Sequence, residues 1–411
     1  MQNNVLYKDI FLLCSIMGKV MMMNSKHTIF ASFIGYITQA IVNNLAPLLF
    51  SIFMANFGIS LDLIALLVSI NFCTQLLVDL LATKYIDQIG YRRSVIAAHL
   101  FSAGGLIGLS VFPYCFNHSY LGIVLSVILY AIGGGLIEVL ISPIVEACPT
   151  NHKASIMSLL HSFYCWGCVL VITLSSAFFF AFGKGAWRIL PILWSIIPLC
   201  NAFFFTKVPL YDICEEGSGM KVRELFSSKV FFVLLLMMVM AGASEQAMSQ
   251  WASTFVEISL ELPKSLGDLV GPCFFAILMG CSRLFYAKYG EKIDLLTFVK
   301  YSCCLGVIAF ILAGIKGVPI INLLACGLCG LSVGILWPGI FSVASQTLPQ
   351  AGTAMFALLA LGGDLGCSVG PFVVGQIAIA FNGALQSGLM FGFIFPLCLI
   401  GLVYIYKRMQ S

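Results

Sequence analysis

The chain has 411 residues, 60% of them hydrophobic and only 9% charged. Soluble domains carry about 25% charged residues, so the composition excludes an ordinary soluble fold and points to a chain whose solvent is the bilayer. The net charge of +4 excludes little by itself; its distribution along the chain carries the information.

Apolar runs near the length needed to span a bilayer recur throughout, with no room for a soluble domain between them. Twelve spans are expected, at 28–56, 60–83, 94–116, 120–148, 154–182, 186–206, 229–256, 267–288, 294–314, 319–346, 352–381 and 385–406. With both termini cytoplasmic, every Lys and Arg except Lys184, Arg188, Lys264 and Lys316 falls on the inner side, and this bias sets the orientation. Residues 1–27 form an N-terminal extension. It reads either as an interfacial helix or as sequence upstream of the true start, because Met21, Met22 and Met23 each offer one. No small-residue cleavage site closes its apolar run, so a signal peptide is not expected.

Span one carries Gln39, Asn43 and Asn44 ahead of Pro47, and span two carries Asn71, Gln75 and Asp79 at intervals of four. Spacing of four puts amides on one helix face, where they need a neighbouring helix or a polar ligand. The loop after span two reads DQIGYRR, Asp87 to Arg93. It resembles the inner-loop motif of the major facilitator superfamily, G-x-x-x-D-R-x-G-R-R/K, in Asp87, Gly90 and Arg92. Thr83, Gln88 and Tyr91 depart from it. The resemblance implies a major facilitator fold, with this loop locking two halves together on the inner side.

Span four places Glu138 in the middle of YAIGGGLIEVLISPIVEACP. A carboxylate at membrane depth is costly, so it marks a functional position by default. Gly133, Gly134 and Gly135 beside it permit close helix approach, and Pro143 removes one helical hydrogen bond. No base lies within spans one to four to pair with it, so Glu138 is the expected proton-coupling acid. Span five carries His161 and Tyr164, each either a ligand group or a packing residue. Spans four and five lack the arginine and the glycine–proline pattern of the superfamily's drug–proton antiporters.

Residues 207–228 are the longest polar segment. They read as a cytoplasmic linker between an N-terminal six-helix bundle, 28–206, and a C-terminal one, 229–411. Internal repetition supports this division: Gly135 and Pro143 in span four have the same spacing as Gly330 and Pro338 in span ten. The expected fold is therefore all-α, with twelve transmembrane helices in two pseudo-symmetric six-helix bundles.

Span seven carries Glu245, Gln246, Gln250 and Trp251. Amides beside an indole suit a sugar or polyol, and the alternative is a helix–helix seam. Arg283 is read with Lys288, Gly290, Glu291 and Lys292 as the inner loop after span eight. Asp364, in glycine-rich span eleven, is a second deep acid and a second coupling candidate. The scattered cysteines, Cys326 and Cys329 included, read as small apolar filler with no disulfide framework.

Three stretches are similar to the fucose–galactose–glucose:proton symporter family: Asn43-Asn44-Leu45; Gly133-x-Gly135-x-x-Glu138 followed by Ser142-Pro143; and Ser162-Phe163 with Trp166-Gly167. The resemblance implies a protonatable binding-site acid at Glu138, with Asn43, Asn44 and His161 in or near a sugar cavity. Pro47 stands where members with a span-one coupling aspartate hold it. The expectation is a monomeric multi-pass transporter of the cell membrane that takes up a sugar or other small polar solute with protons. No enzyme activity, cofactor, metal or nucleic-acid partner is expected. An organic-cation or drug transporter, or a non-transporting sensor of the same fold, remains the alternative.

Overall fold

The computed structural model describes residues 23–211, 220–260, 264–382 and 384–410. Most of the N-terminal extension, 1–22, and part of the polar segment, 212–219, lie outside the described residues. Within the polar segment the structure forms a short helix, Val222–Ser227.

The helices of the first half are α1 (Ser25–Phe57), α2 (Leu61–Ile89), α3 (Tyr91–Val111), α4 (Ser119–Ala147), α5 (Lys153–Phe182) and α6 (Ile189–Phe205). After the short α7 (Val222–Ser227) come α8 (Lys229–Ser249), α9 (Ala252–Leu260), α10 (Lys264–Tyr289), α11 (Leu295–Ala313), α12 (Pro319–Val333), α13 (Leu336–Thr347), α14 (Gly352–Ala380), α15 (Leu385–Phe391) and α16 (Ile394–Gln410). Eleven segments are long and apolar enough to cross a membrane, and the shorter α6 supplies a twelfth apolar helix. Leu, Ile and Phe side chains such as Leu77, Leu100, Ile308 and Phe372 cover the outside, as a lipid-facing surface requires.

Short turns make successive helices antiparallel. One end of the bundle, called here the basic end, gathers Arg92, Arg93, Lys153, Lys207, Lys288, Lys292, Lys407 and Arg408. The far end carries Lys184, Arg188 and Lys316. At the basic end Gly90 turns the chain from α2 into α3 at φ 90°, a conformation that glycine adopts without strain.

The two halves meet along α2 with α14 and along α5 with α10, and secondarily along α4 with α14 and α5 with α13. Moving on six spans converts each contact into its counterpart, which is the pseudo-twofold relation expected of two repeats. Close approach depends on glycine: a Cβ on Gly366 would run into the carbonyl of Val239 on α8.

Three expected spans are broken. Span seven parts at Gln250-Trp251 into α8 and α9, span ten at Gly334-Ile335 into α12 and α13, and span twelve at Gly392-Phe393 into α15 and α16. The last two breaks lie four residues before Pro338 and Pro396, which have no N–H for the carbonyls of Gly334 and Gly392. A broken helix at membrane depth survives where protein re-satisfies the freed backbone.

Candidate functional site

A cavity of about 390 Å³ opens between the halves. Its lining begins at Tyr36, Glu138, His161 and Arg283 and extends through Asn43, Phe50, Gln246 and Ser253 toward the far end. Beneath it the basic end is closed. Asp87 accepts a hydrogen bond from Thr353 of α14 at 2.7 Å, and Thr353 also bonds Tyr91. His152 pairs with Glu291 at 2.7 Å across the α5–α10 interface. Arg92 bonds within its own half, donating to the carbonyl of Phe205 at 2.7 Å.

The wall from the first half is built of amides and hydroxyls. Gln39 donates to Glu138 at 3.0 Å, and Gln75 donates to Asn43 at 3.1 Å. The Tyr164 hydroxyl lies against Asn43. Asn44 donates to the Ala40 carbonyl at 2.9 Å and to the Cys168 sulfur at 3.2 Å. At the floor Tyr36 bonds Ser142 at 2.9 Å and His161 Nε2 at 3.1 Å. The spacing of four seen along α1 and α2 is what aims these groups at one volume.

The facing wall holds an ion pair. Arg283 was expected in the loop after span eight; it lies inside α10, six residues before Tyr289, and only 2% of it is exposed. The helix continues past it, and the bases that face water at this end are Lys288 and Lys292. Its guanidinium is held on every side. Nε donates to the Gly334 carbonyl at 2.7 Å, and Nη1 donates to the His161 carbonyl at 2.8 Å and the Cys165 sulfur at 3.0 Å. Nη2 lies 3.5 Å from Glu245. Arg283 thus supplies the donor that Pro338 cannot give to Gly334. A planar, always-charged fork suits that task better than a lysine.

Gln246 and Gln250 line the cavity, as do Asn71, Glu245 and Asp364. Trp251 does not: its indole donates to the Pro371 carbonyl of α14 at 3.2 Å, beside the α8–α9 break. That is the helix-seam arrangement. The cavity gains an indole from elsewhere, Trp337 of α13. Among the described residues, Gln39 Oε1, Asn71 Oδ1 and Trp337 Nε1 are buried here without a hydrogen-bond partner. Two acceptors and one donor beside the cavity are therefore unsatisfied. Arg283 and Trp337 are among the lining residues that sequence reasoning missed. Pro338, four residues after Gly334, was the available signal for the arginine.

The Major Facilitator Superfamily model matches residues 28–371. The chain belongs to the Major Facilitator Superfamily. It is a multi-pass membrane protein with the fold of that family's transporters. No curated protein matches it by sequence. Among solved structures it is similar to the E. coli fucose:proton symporter FucP, with 13% identity and a TM-score of 0.76 over 93% of this chain and 98% of the other. It is similar to the human organic anion transporter MFSD10 at 16% identity and TM-score 0.72, covering 92% and 99%. The proton:xylose symporter XylE gives 14%, 0.75, 93% and 94%. At these identities the likeness is one of fold.

Proposed function

We propose that the protein is a secondary active transporter that carries a sugar or other small polar solute together with protons, by alternating access. The observation that carries this reading is the cavity itself. Its volume of about 390 Å³ falls within the roughly 300–1,000 Å³ of small-molecule sites. Amides, partnerless polar atoms and the Trp337 indole line it, and Glu138 stands in its wall with a hydrogen bond from Gln39. Amide and indole groups match alternating hydroxyls and C–H faces of a sugar. Two of the fold's relatives named above are sugar:proton symporters.

In this reading Glu138 is the coupling acid and Asp364 a second one. The proton-bearing Glu138 meets substrate when the cavity faces the far side, and loses its proton when the cavity faces the basic side. Gln39, Asn43, Asn71, Gln75, His161, Gln246 and Gln250 orient the solute, and Asp87 with Thr353 is the latch that parts. The basic end and both termini face the cytoplasm of a cell membrane. Residues 207–228 link two bundles, and the unit is a monomer.

The test is uptake of a panel of radiolabelled sugars and polyols in proteoliposomes, with and without an inward proton gradient. The reading expects one class of solute to accumulate only with the gradient. Uptake of organic cations or anions with no sugar uptake would replace the solute class, and uptake indifferent to the gradient would remove the proton.

A further inference from the structure

Below the cavity, a second acid meets Asp364. Asp79 on α2 is wholly buried, and neither of its carboxyl oxygens has a hydrogen-bond donor among the described residues. The group it faces is Asp364 on α14, which lies within hydrogen-bonding reach. The helix registers agree. Asp79 lies ten residues before Ile89, and Asp364 lies twelve after Gly352. At 1.5 Å per residue, both are roughly 15–18 Å from the basic end. Glu138 of α4 acts on Asp79 from farther away, and Glu245 of α8 is the acid on the other helix packed against α14. Among the described residues no cation pairs with either aspartate; Arg283 is committed to Glu245 and three neighbouring acceptors.

Two carboxylates in contact, one of them sealed from water, with no cation between them, do not both stay ionised. One proton between them supplies the donor that Asp79 lacks and turns repulsion into a hydrogen bond. Asp79 is sealed, whereas Asp364 is half-buried and lines the cavity, so the proton enters by way of Asp364. The same helices, α2 and α14, carry the Asp87–Thr353 latch closer to the basic end.

We infer that Asp79 and Asp364 form a second proton-binding site, a shared-proton pair that holds α2 to α14 and so keeps the basic end closed while it is occupied. This deepens the proposed transport function and rests on it for direction. Loss of the proton leaves two like charges facing each other across the interface that must open. By linkage, opening toward the basic side releases a proton there. The pair titrates as a unit, and neither residue owns the proton.

The site is tested on the full chain in lipid nanodiscs, with the proton itself as the ligand. Infrared difference spectroscopy follows the carbonyl stretch of protonated carboxyl groups between mildly acidic and mildly alkaline pH. The wild-type protein shows a protonated-carboxyl component. Asp79→Asn and Asp364→Asn each abolish that same component, because the new amide donates to the remaining carboxylate. Glu138→Gln leaves it in place. Hydrogen–deuterium exchange of 79–93 and 350–364, corrected for the intrinsic pH dependence, rises with pH in the wild type and is flat in both asparagine variants. Survival in either variant of the component that Glu138→Gln leaves in place, or the absence of that component from the wild type, overturns the shared proton; unchanged pH-dependent exchange in the variants overturns the gate. Failure of every solute to accumulate, with this component and its losses intact, instead counts against the transport reading.

Discussion

The two sides of the cavity solve the same structural problem differently. On α4, Pro143 leaves the Val139 carbonyl without its helical donor, and the helix continues unbroken to Ala147. At the equivalent place in the second half, Pro338 frees the Gly334 carbonyl, the span breaks into α12 and α13, and Arg283 reaches across to fill the gap. The wall built on α4 presents Glu138 with an amide. The facing wall presents Glu245 of α8 already beside a cation, Arg283 of α10. A carboxylate tied to a buried guanidinium is a structural member, since uncharging either partner strands the other. A carboxyl held by one neutral donor is free to exchange a proton. On the proposed transport reading, the asymmetry between pseudo-equivalent halves separates a moving charge from a fixed one.

Breaking the fixed side should have the largest effect. Arg283→Ala leaves the Gly334 carbonyl and the Glu245 carboxylate without their donor and takes one donor from the His161 carbonyl. The expected loss is about 3–5 kcal/mol, read as a collapse of thermal stability in detergent and of purified yield. Arg283→Ala combined with Glu245→Gln should recover part of that stability, because no buried charge is then stranded. If the single variant is as stable as the parent, the guanidinium does not support the break.

The latch comes next. Thr353→Val removes the hydrogen bond to the Asp87 carboxylate, worth about 1.5–3 kcal/mol to the closed basic end, and Asp87→Asn, whose amide oxygen still accepts, weakens it to a neutral bond. Hydrogen exchange at the α2–α3 turn should increase while equilibrium solute affinity barely changes. An affinity loss without greater exchange would assign these residues to binding.

Trp251→Phe should cost about 1 kcal/mol of stability through the lost bond to Pro371, with solute affinity unchanged. Reduced affinity at full stability would return Trp251 to the binding surface.

The smallest effect is outside the membrane. Asp294 caps α11, where the hydrogen bond from Thr297 at 2.8 Å, with Lys407 nearby, holds its carboxyl below the usual range. Because the folded value is depressed, its contribution is complete above the unfolded value of about 3.9. It is lost as pH falls through the folded value. Asp294→Asn should shift neutral-pH stability by only about a few tenths of a kcal/mol, since the group is largely exposed. It should also flatten the acid limb; an unchanged limb removes the cap's charge from the account.

Much of this site was legible in the chain. Gln39, Asn43, Asn71 and Gln75 declared themselves because helical spacing of polar groups in apolar sequence has few explanations, and Glu138 because hydrocarbon tolerates a carboxylate only for a reason. Arg283 did not, because it stands within nine residues of genuinely solvated Lys288 and Lys292, and the positive-inside bias absorbed it. What separates them is the tertiary position of a proline-freed carbonyl on another span. Asp79 was visible as the end of a polar stripe, but its partner lies on a helix far along the chain, so the pairing needed the packing of α2 against α14. Trp251 looked like a sugar platform because local composition cannot say which way an indole turns at a helix break. The fold itself was nearly complete in the hydropathy, the loop charges and the repeated Gly–Pro spacing.

On the proposed reading, the solute-coupled role belongs to Glu138 of the first half. It is tested most directly by Glu138→Gln, assayed for counterflow and for proton-driven uptake in the same proteoliposomes, with the solute found by the sugar panel. The account predicts that counterflow persists, because binding and exchange of the loaded carrier need no proton release. Accumulation against a gradient should disappear, together with the pH dependence of binding. A Glu138→Gln protein that concentrates solute as the parent does would show that Glu138 is not the coupling acid.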